Sequence, residues 1–465
     1  MRKVPEKSVW KKERFHVILL TVLALLFFFG VGHNGYLLEQ DSFNYIECNF
    51  GREPLYPIFL LVFRVIFGEG NYLQAVWIAQ SILAVCVVVY CSVWIKRRFR
   101  FKNVVLYVVF FLLLLPYWFV TIWYTPMGLW TNRILTEGLT FSIYYLFLVT
   151  AIKTIYDRKL RDFALACLWS VVLSTLRSQM LICFVICVGI LLWLIIAERK
   201  AACFQRLCIE CVAVLLAAGG LYAGVKAVYK YGITDSTEDA GTLELAILSN
   251  LLYSSDKEDA SCYEDAELRV LYEDLYELTE ERKLNHNYAD GNIFTGSHMY
   301  DAHDIIKYEV INEVYYRYLY REGIYQDRVG DQTLQEFITN LEKPLLRKNW
   351  DRLLINTLRE WPKGYMRSIF TASASLFPLN VIFCAVMYLS GAYFCIRCFI
   401  KRRAWKCAVP MLLVLGVIVM SVAGVALTVF VSMRYLSYNL GLFYIAYMIL
   451  LLQYDKMAKL MREKE

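Results

Sequence analysis

The sequence contains no glycine-rich phosphate loop closed by Lys-Ser or Lys-Thr, no Gly-x-Ser-x-Gly elbow and no His-Glu-x-x-His helix. P-loop nucleotide hydrolysis, acyl transfer on a nucleophile elbow and zincin chemistry therefore have no local signature here. Histidine is scarce, at 5 residues, and the pair His298 and His303 in "SHMYDAHD" is separated by five positions. Two imidazoles share a helical face at a separation of four, so no metal site is expected there. Cysteine is not scarce, at 14 residues, but no Cys-x-x-Cys is accompanied by histidines at zinc spacing. Only Cys48 and Cys262 fall in segments expected outside a membrane, and whether they pair stays open. The others, including the cluster Cys203, Cys208 and Cys211, read as small buried hydrophobes. Sustained apolar–polar alternation is missing, which argues against strands.

What is present is apolar. Hydrophobic residues make up 58% of the 465 positions, and the mean hydropathy is +0.44. Runs long enough to cross a bilayer fall near 15–36, 72–95, 103–120, 135–155, 163–176, 180–197, 207–229, 373–397, 406–430 and 434–453. The expectation is an all-α integral membrane protein with about ten crossings. The segment "LYPIFLLVFRVIF" at 55–67 is too short to cross and carries Arg64, which suits a half-buried helix in the interface.

The net charge of +7 sums compartments of opposite sign, so charge is read loop by loop. The N-terminus, "KRRFRFK" at 96–102, "KTIYDRKLR" at 153–161, "ERK" at 198–200, "KRRAWK" at 401–406 and the tail are basic. The alternate connections hold isolated arginines only: Arg52, Arg133, Arg177 and Arg434. The positive-inside rule then places both termini in the cytoplasm of a cell whose plasma membrane the chain spans, with the Asp41 loop outside. The first apolar run is followed by "VGHNG" rather than a small-residue cleavage site, as in a retained signal anchor.

Between 231 and 370 the composition turns polar and acidic. Apolar residues recur there at helical spacing in Leu268, Leu271, Leu275 and Leu278 and in Ile306, Val310, Val314 and Tyr318. After a break expected at Pro344, they recur in Leu353, Leu354, Leu358 and Trp361. This predicts an external α-helical domain at 231–370. It lies between an N-terminal transmembrane module at 1–230, with a first external loop at 34–54, and a three-helix segment at 371–465.

Ionisable groups at a membrane boundary are costly and mark candidate sites. Here they share the outer side: Asp41, Glu47, Arg52 and Glu53 in "QDSFNYIECNFGREP", then Arg133, Glu137, Arg177 and Arg434. Arg177, in "LSTLRSQMLICF", marks a tight outer hairpin; it either snorkels or grips a phosphate through its guanidinium fork. Glu137 opens its helix, where a carboxylate also complements the dipole.

Three passages resemble the GT-C glycosyltransferases, in the polyprenyl-phosphate-sugar branch related to protein mannosyltransferases and lipid A aminoarabinose transferase. The passage from "DSFNYIECNFGREPLYP" to "VWIKRRF" resembles the family's first external loop and interfacial helix. "LTEGLTFSIYYLFLV" with "TLRSQ" resembles its acidic helix and later arginine hairpin, and "SMRYLSYNLG" its closing Arg-Tyr helix. The resemblance covers about residues 15–200 well and the last helices loosely. It implies a GT-C-like arrangement and a transfer in which Asp41 is the base for an acceptor hydroxyl, with Glu137 as the second catalytic acid. Tyr45, Glu47, Arg52, Glu53, Arg133, Arg177, Arg434 and Tyr435 would bind substrate. The partners implied are a polyprenyl-phosphate-linked sugar, a glycan or lipid-linked acceptor and membrane lipids, with no nucleic acid. No cofactor is called for, a divalent cation staying open. The family usually shows two adjacent acids where this chain has Asp41 followed by Ser42, which leaves a part for Glu39, Glu47 or Glu53.

A polysaccharide polymerase of the O-antigen type is the nearest alternative, since it also handles polyprenyl-linked glycans outside the cell. A transporter or flippase without covalent chemistry is the alternative from another class. It calls for mid-depth charges and paired broken helices in two halves, neither of which the sequence offers.

Overall fold

The computed structural model describes residues 6–48, 51–123, 128–198, 204–234, 242–289, 298–323, 331–370, 377–400, 405–428 and 433–462. Among these the chain is helical, and its one β contact is an isolated parallel bridge between Leu37 and Arg133. Eight helical stretches are long and apolar enough to cross a membrane: Glu13–Val31, Tyr72–Phe99, Glu137–Asp157, Ser178–Ile196, Cys208–Gly232, Leu379–Ile400, Trp405–Leu427 and Arg434–Lys456. The chain is a multi-pass, all-α membrane protein. The two other runs expected to cross are also helices. One includes the apolar stretch Asn103–Phe119, and the other is the 17-residue Leu160–Leu176.

Two compact units divide the chain. The first comprises Met1–Thr234, Ser390–Val417 and Tyr438–Glu465; the second comprises Asp235–Leu389 and Ile418–Ser437.

In the first unit, α1 (Glu6–Leu25) runs into a π-helical turn at Leu26–Val31. A short α2 (Gln40–Ile46) and α3 (Leu55–Phe67) follow. Then come α4 (Tyr72–Phe99), α5 (Asn103–Trp123), α6 (Glu137–Asp157), α7 (Leu160–Leu176), α8 (Ile182–Glu198) and α9 (Phe204–Gly232). Helix α3 has the bounds expected of the short helix. It buries Tyr56, Pro57 and Leu60 while leaving Val62, Val65, Ile66 and Phe67 exposed.

Helix α6 is the centre of this unit and is buried along nearly its whole length, with neighbours α4, α7 and α8. A Cβ on Gly138 would lie 2.6 Å from Gln80 Oε1, so a larger residue here would displace the Gln80 amide from its bonds to Tyr56 and to the Thr131 carbonyl. Helix α5 carries Pro116, which cannot bond the carbonyl of Leu112 one turn back. Gly441 of the last helix packs against that same carbonyl, where a Cβ would collide with it. The adjacent Leu113 carbonyl accepts the Tyr145 hydroxyl at 3.1 Å.

The second unit is built on α10 (Thr242–Ser254), α11 (Ala266–Glu281), α12 (His298–Ile305), α13 (Ile311–Arg321) and α14 (Asp331–Ile369), with a π-helical turn at Ile306–Val310 between α12 and α13. Helix α10, which the spacing analysis did not single out, puts Leu248, Leu251 and Leu252 at the centre of the core. They pack with Leu271 and Leu275 of α11, with Ile306, Val310 and Val314, and with Ile338, Leu341 and Leu345 of α14.

The break expected at Pro344 is not there. Helix α14 continues through Pro344, and its backbone leaves helical geometry at Asn349 instead (φ −113°, ψ 21°). Core packing by Leu341 and Leu345 on either side of the proline holds the helix. The deviation falls where the Asn349 amide reaches Asp259 Oδ2, at 2.6 Å. Leu354 and Leu358, expected on the buried face after the break, are 41% and 45% exposed, while Leu353 is buried.

Further along are α15 (Phe377–Ile400), α16 (Trp405–Thr428), the short α17 (Met433–Leu436) and α18 (Leu440–Arg462).

Candidate active site

The site is assembled in the first unit from the loop before α2, the turn before α3, the start of α6 and the turn after α7. The first external loop is held by backbone. Leu37 N–H donates to the Asn132 carbonyl at 2.8 Å, and Ile134 N–H donates to the Leu37 carbonyl at 3.0 Å. The Asn132 amide then donates to the carbonyls of Gly32, at 2.8 Å, and Gly35, at 2.6 Å. Gly35 and Gly128 adopt left-handed backbone (φ +76° and +89°), which glycine tolerates without strain. Through this bridge the buried guanidinium of Arg133 meets the carboxylate of Glu39.

Asp41, on α2, accepts a hydrogen bond from Arg52 Nη2 at 2.7 Å; each side chain retains about 30% exposure. The Arg52 guanidinium lies 5.2 Å from the centroid of the Tyr45 ring, and Tyr45 is itself buried, edge-on to Tyr56 at 5.2 Å. Burial pushes the Tyr45 phenol up from its ordinary range; Arg52 pulls it down, and Glu137 adds to the rise. The two acidic positions are joined through packing: Tyr45 meets Tyr56, Tyr56 bonds Gln80, and the Gln80 amide lies against Gly138, the residue after Glu137. Beneath Tyr45, the Tyr56 hydroxyl donates to Gln80 Oε1 at 3.0 Å. The Gln80 amide donates to the carbonyls of Thr131, at 3.0 Å, and Arg133, at 3.4 Å.

Glu137 is the first residue of α6 and is fully buried. It is not a solvated dipole partner. Its Oε1 is 2.6 Å from Arg177 Nη1, and its Oε2 accepts from the Thr136 hydroxyl at 3.2 Å. Arg177 follows the last residue of α7 in extended conformation (φ −156°, ψ 123°), and a 3-10 turn at Ser178–Leu181 leads into α8. The hairpin expected at Arg177-Ser178-Gln179 is therefore present. The guanidinium also sits 5.9 Å from the ring centroid of Tyr438, which stacks on Phe141 at 4.5 Å.

The remaining expected residues are placed as follows. Glu53 pairs with Lys226 Nζ of α9 at 3.2 Å. Glu47 is exposed at the C-terminal end of α2. Arg434 and Tyr435 lie half-buried in α17, within the second unit. Sequence reasoning named the arginines and carboxylates but not their pairing, and it missed Lys226, Gln80 and Tyr56. A lysine in "GLYAGVKAVY" and a glutamine in "VWIAQSILAV" are costly in apolar runs, and that cost was the available signal.

Among the described residues, no group of three His, Cys, Asp or Glu could hold a metal ion. In the second unit, His303 meets Asn250 Oδ1 at 2.9 Å, and His298 meets the Lys283 carbonyl at 3.0 Å. Both histidines bond to protein groups.

The chemistry available is that of a nearly electroneutral cluster: Asp41–Arg52, Glu39–Arg133, Glu137–Arg177 and Glu53–Lys226. An arginine has five N–H donors and spends only one or two on a single carboxylate, so a paired guanidinium can still present donors to a second anion. No family model, no curated protein and no solved structure matches this chain.

Proposed function

We propose that the chain is a membrane glycosyltransferase of GT-C type. It would move a sugar from a polyprenyl-phosphate donor to a glycan or lipid-linked acceptor on the outer face of the plasma membrane, with inversion, in cell-surface glycan assembly. The observation that carries this reading is that the Asp41–Arg52 and Glu137–Arg177 pairs are joined through Tyr45, Tyr56 and Gln80, which lies against Gly138 beside Glu137. Sugar transfer from a lipid phosphate needs a base for the acceptor hydroxyl and cations for the phosphate that departs, held ready in a low-dielectric setting. Asp41, partly exposed, is the base; Arg52 and Arg177 face the leaving phosphate, and Glu137 fixes Arg177. Both termini are cytoplasmic, the span count is ten, and α3 lies in the interface beside the lipid chain. An outer face supplies no nucleotide sugars, which is why the donor is lipid-linked.

The test is surface-glycan mass spectrometry of the host lacking this gene, complemented with wild type or with Asp41→Asn at equal membrane levels. Loss of one fixed sugar mass, restored by wild type but not by Asp41→Asn, is the expected result. Accumulation of single repeat units identifies a polymerase instead, and full rescue by Asp41→Asn removes Asp41 from the mechanism.

A further inference from the structure

Away from Gln80 and Glu137, toward the opposite ends of α4 and α6, the first unit leaves a cavity between its helices. Its lining includes Trp94 and Phe99 of α4, Leu113 of α5, Tyr145 of α6, Val414 of α16 and Ala446 of α18. All of these lie in the first unit. The space between the lining side chains, its open mouth included, is about 480 Å³, and the walls are apolar almost throughout. The Tyr145 hydroxyl is already spent on the Leu113 carbonyl at 3.1 Å. A buried water needs two to four polar partners, so a cavity of this kind stays dry and takes up apolar ligands. In a membrane-spanning bundle the apolar ligand at hand is hydrocarbon. The lining runs from Cys91 to Phe99 on α4 and from Tyr145 to Ile152 on α6. That is about 10–12 Å of helix rise, within the roughly 15 Å of hydrocarbon in one leaflet.

The helix-end side of the cavity is an aromatic row flanked by two lysines. Trp94 meets Phe99 at 6.4 Å, and Phe99 stacks on Phe101 at 5.8 Å. Lys153 Nζ lies 5.5 Å from the Trp94 ring centroid and donates to the Tyr90 hydroxyl at 2.7 Å. Lys456 Nζ lies 5.3 Å from the Phe101 ring centroid and 3.3 Å from the carbonyls of Phe99 and Arg100. Among the described residues neither ammonium meets a carboxylate; both spend their donors on neutral oxygens. The carboxylates at this end are engaged elsewhere. Asp157 is 2.7 Å from Arg98, Asp455 is 2.8 Å from Lys459, and Glu13 is shared by Lys96 and Arg97. Glu210 pairs with Arg206, and Asp162 opens α7 between Lys159 and its own neighbour Arg161. Arg100, Lys102, Arg158 and Lys406 add to the positive side. The positive-inside rule accounts for many cations at this end of the helices. It does not account for two lysines laid over the aromatic rim of a dry cavity. An ammonium on neutral oxygens has more to gain from a phosphate, through a charge-assisted hydrogen bond.

We infer that this cavity and its rim hold one anionic phospholipid, with an acyl chain between α4, α6, α16 and α18 and the phosphate at the rim that Lys153 and Lys456 flank. Apolar walls select a chain, the leaflet sets its length, and the cationic surplus selects an anionic headgroup over a zwitterionic one. The inference uses no residue of the candidate active site and stands independently of the glycosyl-transfer reading.

The experiment is photo-crosslinking of the full chain in phosphatidylcholine nanodiscs, with peptide mapping by mass spectrometry. The probes are trace phosphatidylglycerol and phosphatidylcholine of identical chains, each with a diazirine near the end of one acyl chain. The phosphatidylglycerol probe should label the cavity segments Cys91–Phe99 and Leu442–Ile449 about fivefold or more over the phosphatidylcholine probe, the advantage of one lysine at an anionic headgroup. Lys153→Gln/Lys456→Gln should bring the two probes level. Labelling by phosphatidylcholine should stay as in wild type, which shows that the variant is folded. Unlabelled phosphatidylglycerol should displace the probe at lower concentration than undecaprenyl phosphate does. Equal labelling by the two probes in wild type, or none in the cavity segments, overturns the inference and leaves an ordinary lipid contact. A phosphatidylglycerol preference that survives in the lysine variant overturns it as well. Tighter displacement by undecaprenyl phosphate gives the cavity to a polyprenyl carrier instead. None of these readouts involves sugar transfer, so failure here leaves the Asp41 reading to its own test.

Discussion

The pairing of Glu137 with Arg177 separates structure from chemistry when it is broken from each side. Replacing Glu137 by Gln keeps the shape of the side chain and its contact with Thr136, but it leaves a guanidinium, 12% exposed, beside an amide in place of a carboxylate. Removing one partner of a buried ion pair costs about 3–5 kcal/mol, mostly through the charge left behind. Arginine cannot shed its proton, whereas a carboxylate stranded by Arg177→Met can take one up. Glu137→Gln should therefore be the more damaging single change. At about 2 °C per kcal/mol for a unit of this size, it should lower the midpoint of thermal unfolding in nanodiscs by roughly 6–10 °C. Glu137→Gln/Arg177→Met carries no stranded charge and should recover most of that loss, since apolar or neutral replacements of a buried pair are often close to neutral. On the proposed reading, sugar transfer should stay abolished in the double variant, because Arg177 would no longer face the leaving phosphate. Equal stability of Glu137→Gln and wild type would refute the reasoning about the pair. Transfer restored together with stability would refute its role in chemistry.

Gly138→Ala should act at the same site from the opposite side. The new Cβ would stand 2.6 Å from Gln80 Oε1 and displace the amide that receives Tyr56. We expect a loss of about 1–3 kcal/mol, as for overpacking, and a matching loss in Gln80→Leu, which leaves the Tyr56 hydroxyl without its acceptor; thermal melts check both. In the second unit, burial holds the His303 imidazole down at about 3. The unfolded chain binds that proton near pH 6.5, so this contribution is complete above pH 6.5 and is lost as pH falls toward 3. Between pH 7 and pH 5 the unit should lose about 2 kcal/mol, and His303→Gln should flatten the dependence. Hydrogen exchange of α10 to α13, corrected for intrinsic rates, reads the difference.

The helices that cross a membrane were legible because a run of about 20 apolar residues has few soluble uses. The short helix at 55–67 was legible from its length and its arginine. Proline misled. Read locally, Pro344 ends a helix; in the folded unit Leu341 and Leu345 hold α14 together across it, and that contact is not local. Helix α10 was overlooked because its buried leucines form no clean stripe: "TLELAILSNLLYS" is apolar on several sides, as suits an element at the centre of a core. At the site, residue types were legible and partners were not. Glu39 and Arg133 are ninety-four positions apart, and only the Leu37–Arg133 bridge, invisible to spacing, brings them together.

The four ion pairs bear on which group moves during the proposed transfer. Their exposure sorts them. Glu137–Arg177 is nearly closed to solvent, whereas Asp41 and Arg52 are 30% and 29% exposed. An exposed pair is worth only about 0–1 kcal/mol, so its partners exchange readily; a buried one resists by several. On the proposed reading, then, Arg52 trades Asp41 for the donor phosphate, and the same exchange frees the carboxylate to take the acceptor proton. This gives Asp41→Asn a specific kinetic form. The variant removes the base while leaving Arg52 without a competing carboxylate, so kcat should fall by a factor of about 10² or more while KM for the lipid-phosphate donor stays level or drops. A residue that merely held the loop in place would show the reverse, with KM raised, kcat little changed and the melting point lowered. Donor titrations with purified wild type and Asp41→Asn distinguish the two, and a raised KM with unchanged kcat would end the case for Asp41 as the base.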